Sequence, residues 1–340
     1  MRVLLHYDTD YSAQDGAAQD GAAQDGAAQD GAAQDGAAQD GAAQDGAAQD
    51  GADLDVVSCA EEDDERFAEL LPDTEVLWHV LRPLTAEDLD RAPKLRLIQK
   101  LGTGVNTIDL DAAAERGIAV ANMPGTNAQA VAESALLLML AALRRVVTFD
   151  ARTREGRGWP ADRALVGGEL SGRTVGLLGG GQIAGLLRGM LTAIGANVLY
   201  TSRRPRPDDP SWRELDDLLR ESDIVSVHIP LTADTHHLLD RERLALLPPG
   251  AIVVNTARGA IIDESALVQA LASGHLAGAG LDVFEQEPAT AANPLMALEN
   301  VVVMPHVAWL TRETWNRYFG VAVENCHRLV RGDDLLHRVR

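Results

Sequence analysis

Short runs of apolar and β-branched residues alternate, from end to end of the chain, with segments whose apolar positions recur at helical spacing. The runs Arg2–Tyr7, Leu54–Ser58, Glu75–Val80, Leu95–Leu101 and Ile118–Asn122 make a first series of expected strands. A second series is Thr174–Leu178, Asn197–Thr201, Ile224–His228, Ala251–Asn255, Ala279–Phe284 and Val301–Met304. Helix-like segments such as Glu61–Leu71, Ala86–Arg91, Asp109–Arg116 and Ser265–Ala272 lie between them. This alternation predicts an α/β fold of doubly wound parallel sheets, because each parallel crossover needs a helix to cover the sheet.

The alternation breaks at 126–144, where Ala130, Val131, Ser134, Leu137, Leu138 and Ala141 mark a long helix with little polar surface. An irregular, Gly-containing stretch, 155–168, follows it. A domain crossing near Pro124 is expected there. One domain then comprises residues 1–122 plus 307–340 and the other residues 123–306. The last helical segment, Arg312–Leu329, has no strand after it and is expected to pack back on the first domain, making that domain discontinuous.

Residues 12–52 suspend both patterns. The unit AAQDG repeats there with eight Asp-Gly pairs, from Asp15 to Asp50. A period of five advances a helix by roughly 140° per unit, so the alanines form no apolar stripe. An odd period also fails the two-residue alternation of a strand. Asp-Gly invites turns, and the large apolar residues a solenoid needs are absent. The reading is a flexible insertion after the first strand, where a crossover helix belongs.

Composition narrows the class. The chain has 340 residues, 46% of them hydrophobic, and a formal net charge of −21. The repeat contributes eight negative charges and no positive one, leaving −13 on the rest. Nucleic acid and anionic membranes are disfavoured as partners, since both attract positive surfaces. Cys59 and Cys326 stand in no redox or metal spacing, and no third ligand accompanies the adjacent His236 and His237, so no metal site is expected. The opening MRVLLHYD is too short in its apolar run for a signal peptide, and ALLLMLAAL (135–143) is too short to span a bilayer. A cytoplasmic location is expected.

RTVGLLGGGQIAG (173–185) is a hydrophobic strand entering a glycine turn and then a helix, with Gly179, Gly181 and Ala184 matching G-x-G-x-x-G/A. Gly179 permits the tight turn, Gly181 the approach of a pyrophosphate, and Ala184 close helix packing. Gln182 and Ile183 open the helix whose amides would face the phosphates. The next strand ends in TSRRPRP. An NAD enzyme places an acid there to hold the ribose 2′-hydroxyl, whereas this chain has Ser202, Arg203 and Arg204, a set suited to a 2′-phosphate. NADP is therefore expected as cofactor, with NAD as the alternative.

Three later strands are each followed by a polar residue: AIVVNTARG by Arg258, GAGLDVFEQEP by Glu287 and NVVVMPH by His306. The carboxyl ends of adjacent strands, ~4.8 Å apart, are where doubly wound sheets bind ligands. An Arg, a carboxylate and a His are the groups that reduction of a 2-oxo acid requires. The guanidinium holds the substrate carboxylate and polarises the carbonyl. The imidazolium supplies a proton, and the carboxylate orients it. His228, which ends a strand, reads as a structural or cofactor-wall residue.

With LIQKLGTGVNTIDLDAAAERGIAVANMPG, AVAESALLLMLAALR, VSVHIPLT and LLPPGAIVVNTARGAIIDESAL, these segments resemble the D-isomer-specific 2-hydroxyacid dehydrogenases over nearly all of the chain outside the repeat. The resemblance implies a Rossmann cofactor domain inserted into a flavodoxin-like substrate domain. It makes Arg258, Glu287 and His306 the catalytic triad. It places backbone amides of Thr103 and Gly104 on the substrate carboxylate, with Asn106 beside them, and Pro230, Thr256 and Asp282 at cofactor-contacting positions. It also implies a homodimer formed through 126–159. Ala128 and Ala184 depart from the family's residues at their positions. The indole in VAW (307–309) is expected at the substrate mouth, as in glyoxylate and hydroxypyruvate reductases. A small 2-oxo acid of that kind is the expected substrate. The alternatives are an NAD-linked phosphoglycerate-type dehydrogenase and a dinucleotide-sensing scaffold like the C-terminal-binding co-repressors.

Overall fold

The structure, a computed structural model, describes residues 1–7, 53–159 and 165–340, so the repeat at 12–52 lies outside the described residues. The chain forms two compact units, one of Met1–Thr126 with Arg312–Arg340 and one of Asn127–Thr311. Each is a parallel-sheet α/β domain.

In the first unit, β1 (Arg2–His6), β2 (Asp55–Cys59), β3 (Val76–His79), β4 (Leu97–Lys100) and β5 (Ala119–Ala121) lie in the order 2-1-3-4-5. Three short helices cover one face, and each is opened by a side chain that accepts an otherwise orphaned amide. Asp63 accepts from Arg66 before Asp64–Leu70, and Asp109 accepts from Ala112 before Leu110–Glu115. Thr85 and Asp88 form a reciprocal capping box before Ala86–Asp90. Behind these caps Phe67, Leu70, Leu89, Ala112 and Ala113 pack with Leu4, Leu77, Ile98 and Val120 in one core.

The helix Arg312–Arg331 buries Tyr318, Phe319, Ala322 and Cys326. Phe319 meets Trp78 at 5.8 Å, and Asn325 Nδ2 donates to the buried Gln99 Oε1 at 2.6 Å. A strand was not expected beyond this helix. Instead Arg338 makes an antiparallel bridge to Ala121, with the Val339 amide 2.7 Å from the Val120 carbonyl. The tail is too short to show a period, so the pattern gave no warning.

The register pairs His6 with His79 and His79 with Lys100, which sets the three in a row at the ends of their strands. Both histidines are 1% exposed. His6 stacks on Phe67 at 4.0 Å, and His79 Nε2 lies 3.1 Å from Thr107 Oγ1. Burial, helped by the charge of Arg82, lowers the His6 pKa to about 4. Burial, followed by the Lys100 charge, holds His79 well below the usual histidine value.

In the second unit, β6 (Thr174–Leu178), β7 (Asn197–Thr201), β8 (Ile224–Val227), β9 (Ala251–Asn255), β10 (Leu276–Leu281) and β11 (Val301–Val303) lie in the order 11-10-9-8-6-7. A single parallel bridge from Tyr200 to Trp212 continues the sheet beyond β7. The chain reverses direction across the sheet at β6, between β7 and β8. Separate cores cover the two faces, one around Leu218, Val253 and Leu267, the other around Leu138, Leu187 and Ile252.

Most strands fall within one or two residues of expectation, but β10 runs from Leu276 to Leu281, three residues earlier at each end than the expected Ala279–Phe284. A Cβ on Gly280 would stand 2.8 Å from that of Leu138 in the helix Ala128–Leu143. Glycine is there because the long helix lies against the strand. The helices Val146–Arg154, Leu215–Glu221 and Arg241–Leu244 had not been singled out in the sequence. Among the described residues, no helix is long and apolar enough to cross a membrane.

Candidate active site

Arg258, Glu287 and His306 all belong to the second unit and follow the carboxyl ends of β9, β10 and β11. Arg258 lies three residues past β9, in extended backbone before the short turn Gly259–Ile261. Asn255 ties that corner from within: its side chain donates to the Arg258 carbonyl at 2.8 Å and accepts the Ala257 amide at 2.9 Å. Gly259 was not picked out from the sequence. A Cβ on it would overlap the Phe284 carbonyl and the Glu285 amide, so only glycine lets the Arg258 turn cross the loop that carries Glu287.

Glu287 uses both oxygens. Oε1 accepts the Phe284 amide at 2.9 Å, and Oε2 lies 2.7 Å from His306 Nδ1. Burial pushes its carboxyl up, but the hydrogen bond and charge of His306, the Phe284 amide and the charge of Arg258 outweigh that and hold it below the usual glutamate value. Burial lowers the Arg258 guanidinium, and Glu287 opposes the shift. The three side chains thus form one electrostatic group. With Nδ1 engaged by the carboxylate, Nε2 is the imidazole nitrogen left to exchange a proton with a ligand.

His306 sits at a φ of 58°, a left-handed conformation uncommon outside glycine. Four bonds hold it there. Its amide donates to the Asp282 carbonyl at 2.8 Å, and the Asp282 carboxylate accepts the Val307 and Ala308 amides at 2.8 and 3.0 Å. Trp309 Nε1 donates to the His306 carbonyl at 3.0 Å. The indole is 7% exposed and ties its ring to the His306 turn through that bond. Both oxygens of Asp282, a residue expected at a cofactor-contacting position, accept amides of this turn.

The glycine turn lies at the end of β6. Gly179 has a φ of 122°, and a Cβ there would stand 2.6 Å from the His228 carbonyl oxygen. Both facts demand glycine. Gly181 is the capping residue of the helix Gln182–Ile194 and contributes no side-chain cap, and Ala184 is buried beneath the turn. Gly180, Gly181 and Gln182 are exposed and Ile183 is half-buried, and a Cβ on Gly181 would meet nothing within 4 Å, so the backbone at the helix start is open. Ser202 lies beside the turn, its Cβ 3.6 Å from where one on Gly180 would be, with Arg203 and Arg204 exposed after it. Pro230 is exposed. Thr256 is buried, and its hydroxyl has no hydrogen-bond partner among the described residues.

His228 is held by Ser226, Oγ to Nε2 at 2.8 Å, and burial lowers its pKa to about 4. His236 and His237 stack at 3.9 Å, and no group of three or more metal-ligating side chains occurs among the described residues. Thr103 and Gly104 follow β4 in the first unit, where Thr103 Oγ1 donates to the Met123 carbonyl at 3.3 Å.

A family model described as the NAD-binding domain of D-isomer specific 2-hydroxyacid dehydrogenases matches residues 136–308. The glyoxylate reductase of Aeropyrum pernix is 42% identical over 254 residues, which span 72% of this chain and 76% of that one. The TT0316 protein of Thermus thermophilus superposes with a TM-score of 0.82 at 36% identity, over 100% of both chains. An NADPH-dependent glyoxylate/hydroxypyruvate reductase of Sinorhizobium meliloti, solved with NADP and malonate, superposes with a TM-score of 0.76 at 28% identity, over 99% of this chain and 96% of the other.

Proposed function

The chain belongs to the D-isomer-specific 2-hydroxyacid dehydrogenases, and we propose that it works as a reductase of a small 2-oxo acid, glyoxylate or hydroxypyruvate, with NADPH as electron donor. The observation that carries this reading is the Glu287–His306 pair at 2.7 Å within the electrostatic reach of Arg258.

The residues present fit a dinucleotide. The glycine turn leaves open backbone at a helix start, and the orphaned Thr256 hydroxyl lies one residue past β9. Ser202, Arg203 and Arg204 supply a hydroxyl and two cations where a 2′-phosphate would lie, which favours NADP over NAD. Gly179, Gly181, Gln182, Ile183 and Pro230 complete that assignment. When bound, the reduced nicotinamide supplies the hydride.

The chain's own groups do the rest. Arg258 holds the substrate carboxylate and draws electron density from the C2 carbonyl. His306 passes a proton from Nε2 to the carbonyl oxygen as it becomes a hydroxyl. Glu287 fixes the ring through Nδ1 and favours its charged form.

We read the second unit as the cofactor domain. Counted with the Trp212 bridge, its order from the edge is 3-2-1-4-5-6-7, an extended Rossmann sheet, while the 2-1-3-4-5 sheet of the first unit is flavodoxin-like. The (AAQDG)n segment is taken as an insertion into the latter. Exposed Leu137, Val146, Val147, Trp159 and Val166 suit a homodimer through the cofactor domain. The buried thiols of Cys59 and Cys326, in no disulfide, suit the cytoplasm. A panel of 2-oxo acids, each assayed with NADPH and with NADH, tests the reading: glyoxylate and hydroxypyruvate should lead with NADPH. Failure to reduce any 2-oxo acid with either cofactor refutes it.

A further inference from the structure

The loop that carries Glu287 is fastened at a second point, away from the three groups that face the substrate. Glu264 and Glu285 exchange hydrogen bonds reciprocally. The Glu264 amide donates to Glu285 Oε1 at 3.0 Å, and the Glu285 amide donates to Glu264 Oε2 at 3.1 Å. Glu264 is the first residue of the helix Glu264–Ala272, so its amide has no acceptor within the helix and a carboxylate is favoured beside it.

Two adjacent carboxylates repel unless other donors share them. Here they are shared: Asn293 Nδ2 donates to Glu264 Oε1 at 2.7 Å, and His237 Nε2 lies 2.8 Å from Glu285 Oε1. The His237 amide in turn donates to the Ala260 carbonyl at 2.8 Å, two residues beyond Arg258. The linkage therefore ties together the Arg258 turn, the helix start and the loop two residues before Glu287. Its action on Glu287 is short-range. Phe284, the neighbour of Glu285, is the residue whose carbonyl a Cβ on Gly259 would overlap and whose amide donates to Glu287 Oε1.

We propose that Glu264 and Glu285 are positioning residues for reduction, forming a brace that holds the 284–287 loop so that Glu287 reaches the Phe284 amide and His306 Nδ1 together. The proposal rests on the reading of Arg258, Glu287 and His306 as the working groups. Its test is E264A and E285A, each alone and combined with E287Q, assayed for kcat, for KM of NADPH and of glyoxylate, and for pH dependence. Each single variant should lose on the order of tenfold in kcat, the scale of a slightly misplaced group, with KM for NADPH unchanged. Its pH–rate profile should move in the same direction as that of E287Q. Combined with E287Q, neither should slow the enzyme further, because both act through Glu287.

E264Q keeps one oxygen for the Glu285 amide and should recover most of the rate. Wild-type rates and profiles in E264A and E285A overturn the proposal, and so does a loss that adds fully to that of E287Q. If E264A does not fold, E285A carries the same test from the more exposed side of the brace. Normal turnover in H306Q would instead sink the underlying site assignment, so the two failures are distinguishable.

Discussion

Asp282 holds the turn behind His306 with both of its oxygens, through the Val307 amide at 2.8 Å and the Ala308 amide at 3.0 Å. The aspartate is 1% exposed. Burial raises its carboxyl above the usual value, against the pull of those amides and of the His306 charge. Asp282→Ala would strand both amides, at about 1–3 kcal/mol each. It should lower Tm by several degrees and release His306 from its left-handed conformation, with a fall in kcat. Asp282→Asn keeps one acceptor oxygen and should fall between. Thermal unfolding and steady-state rates check this; an alanine variant with the parent's Tm and kcat contradicts it.

Glu287 is held below its ordinary value, so it keeps its charge, and with it the bond to His306, as pH falls through the normal carboxylate range. The stabilisation from that pair is complete above the unfolded value and lost as pH falls through the lowered folded one. Glu287→Gln carries no charge at any pH. The upper pH limit of 2-oxo acid reduction should shift downward, because the imidazole loses the anion that favours its charged form. A pH–rate profile that superposes on the parent's would reduce Glu287 to a loop acid.

Arg203 and Arg204 should divide the cofactors. Their joint replacement by Ala is expected to raise KM for NADPH by at least about tenfold while leaving NADH nearly unaffected, since only one of the two carries a 2′-phosphate. Measured KM values for both cofactors decide it. An equal change for both, or a parent enzyme that prefers NADH, rules out the phosphate site.

The buried row at the strand ends of the first unit sets an acid limit on stability. The unfolded chain binds a proton at His6 near pH 6.5, whereas the folded chain does so only near its lowered value of about 4. Stability from keeping His6 neutral is therefore full above pH 6.5 and lost as pH falls toward 4, by roughly 3 kcal/mol at ~1.4 kcal/mol per unit. His79, also held well below the usual histidine value, adds to the same slope. Tm measured from pH 7.5 to 4.5 should fall, and His6→Leu should flatten the curve. A Tm independent of pH in this window contradicts the account.

Much of this was legible in the sequence where local pattern and tertiary role agree. The strand-and-helix alternation yields two parallel sheets because apolar runs there are both β-formers and core. The strand ends Arg258, Glu287 and His306 stand out because polar residues follow apolar runs. Legibility fails where a residue serves a neighbour distant in sequence. Gly280 is required by the helix Ala128–Leu143 and Gly278 by the Asn300 carbonyl, neighbours that the strand's own run of residues does not announce. Gly259, Glu264 and Glu285 look like ordinary turn and surface residues until their partners some 20 residues away are known. Trp309 and Asp282 point inward to the His306 turn, a direction that no spacing rule encodes.

The central claim is that Arg258 and His306 act directly on a 2-oxo acid, and the most direct measurement is kcat/KM for glyoxylate with NADPH in the parent, Arg258→Ala and His306→Gln. Each variant should fall by more than ~100-fold, the scale of losing an oriented cation or a proton donor. Tm should stay within a few degrees of the parent's, since neither side chain belongs to a core. Near-normal turnover in either variant would contradict the assignment.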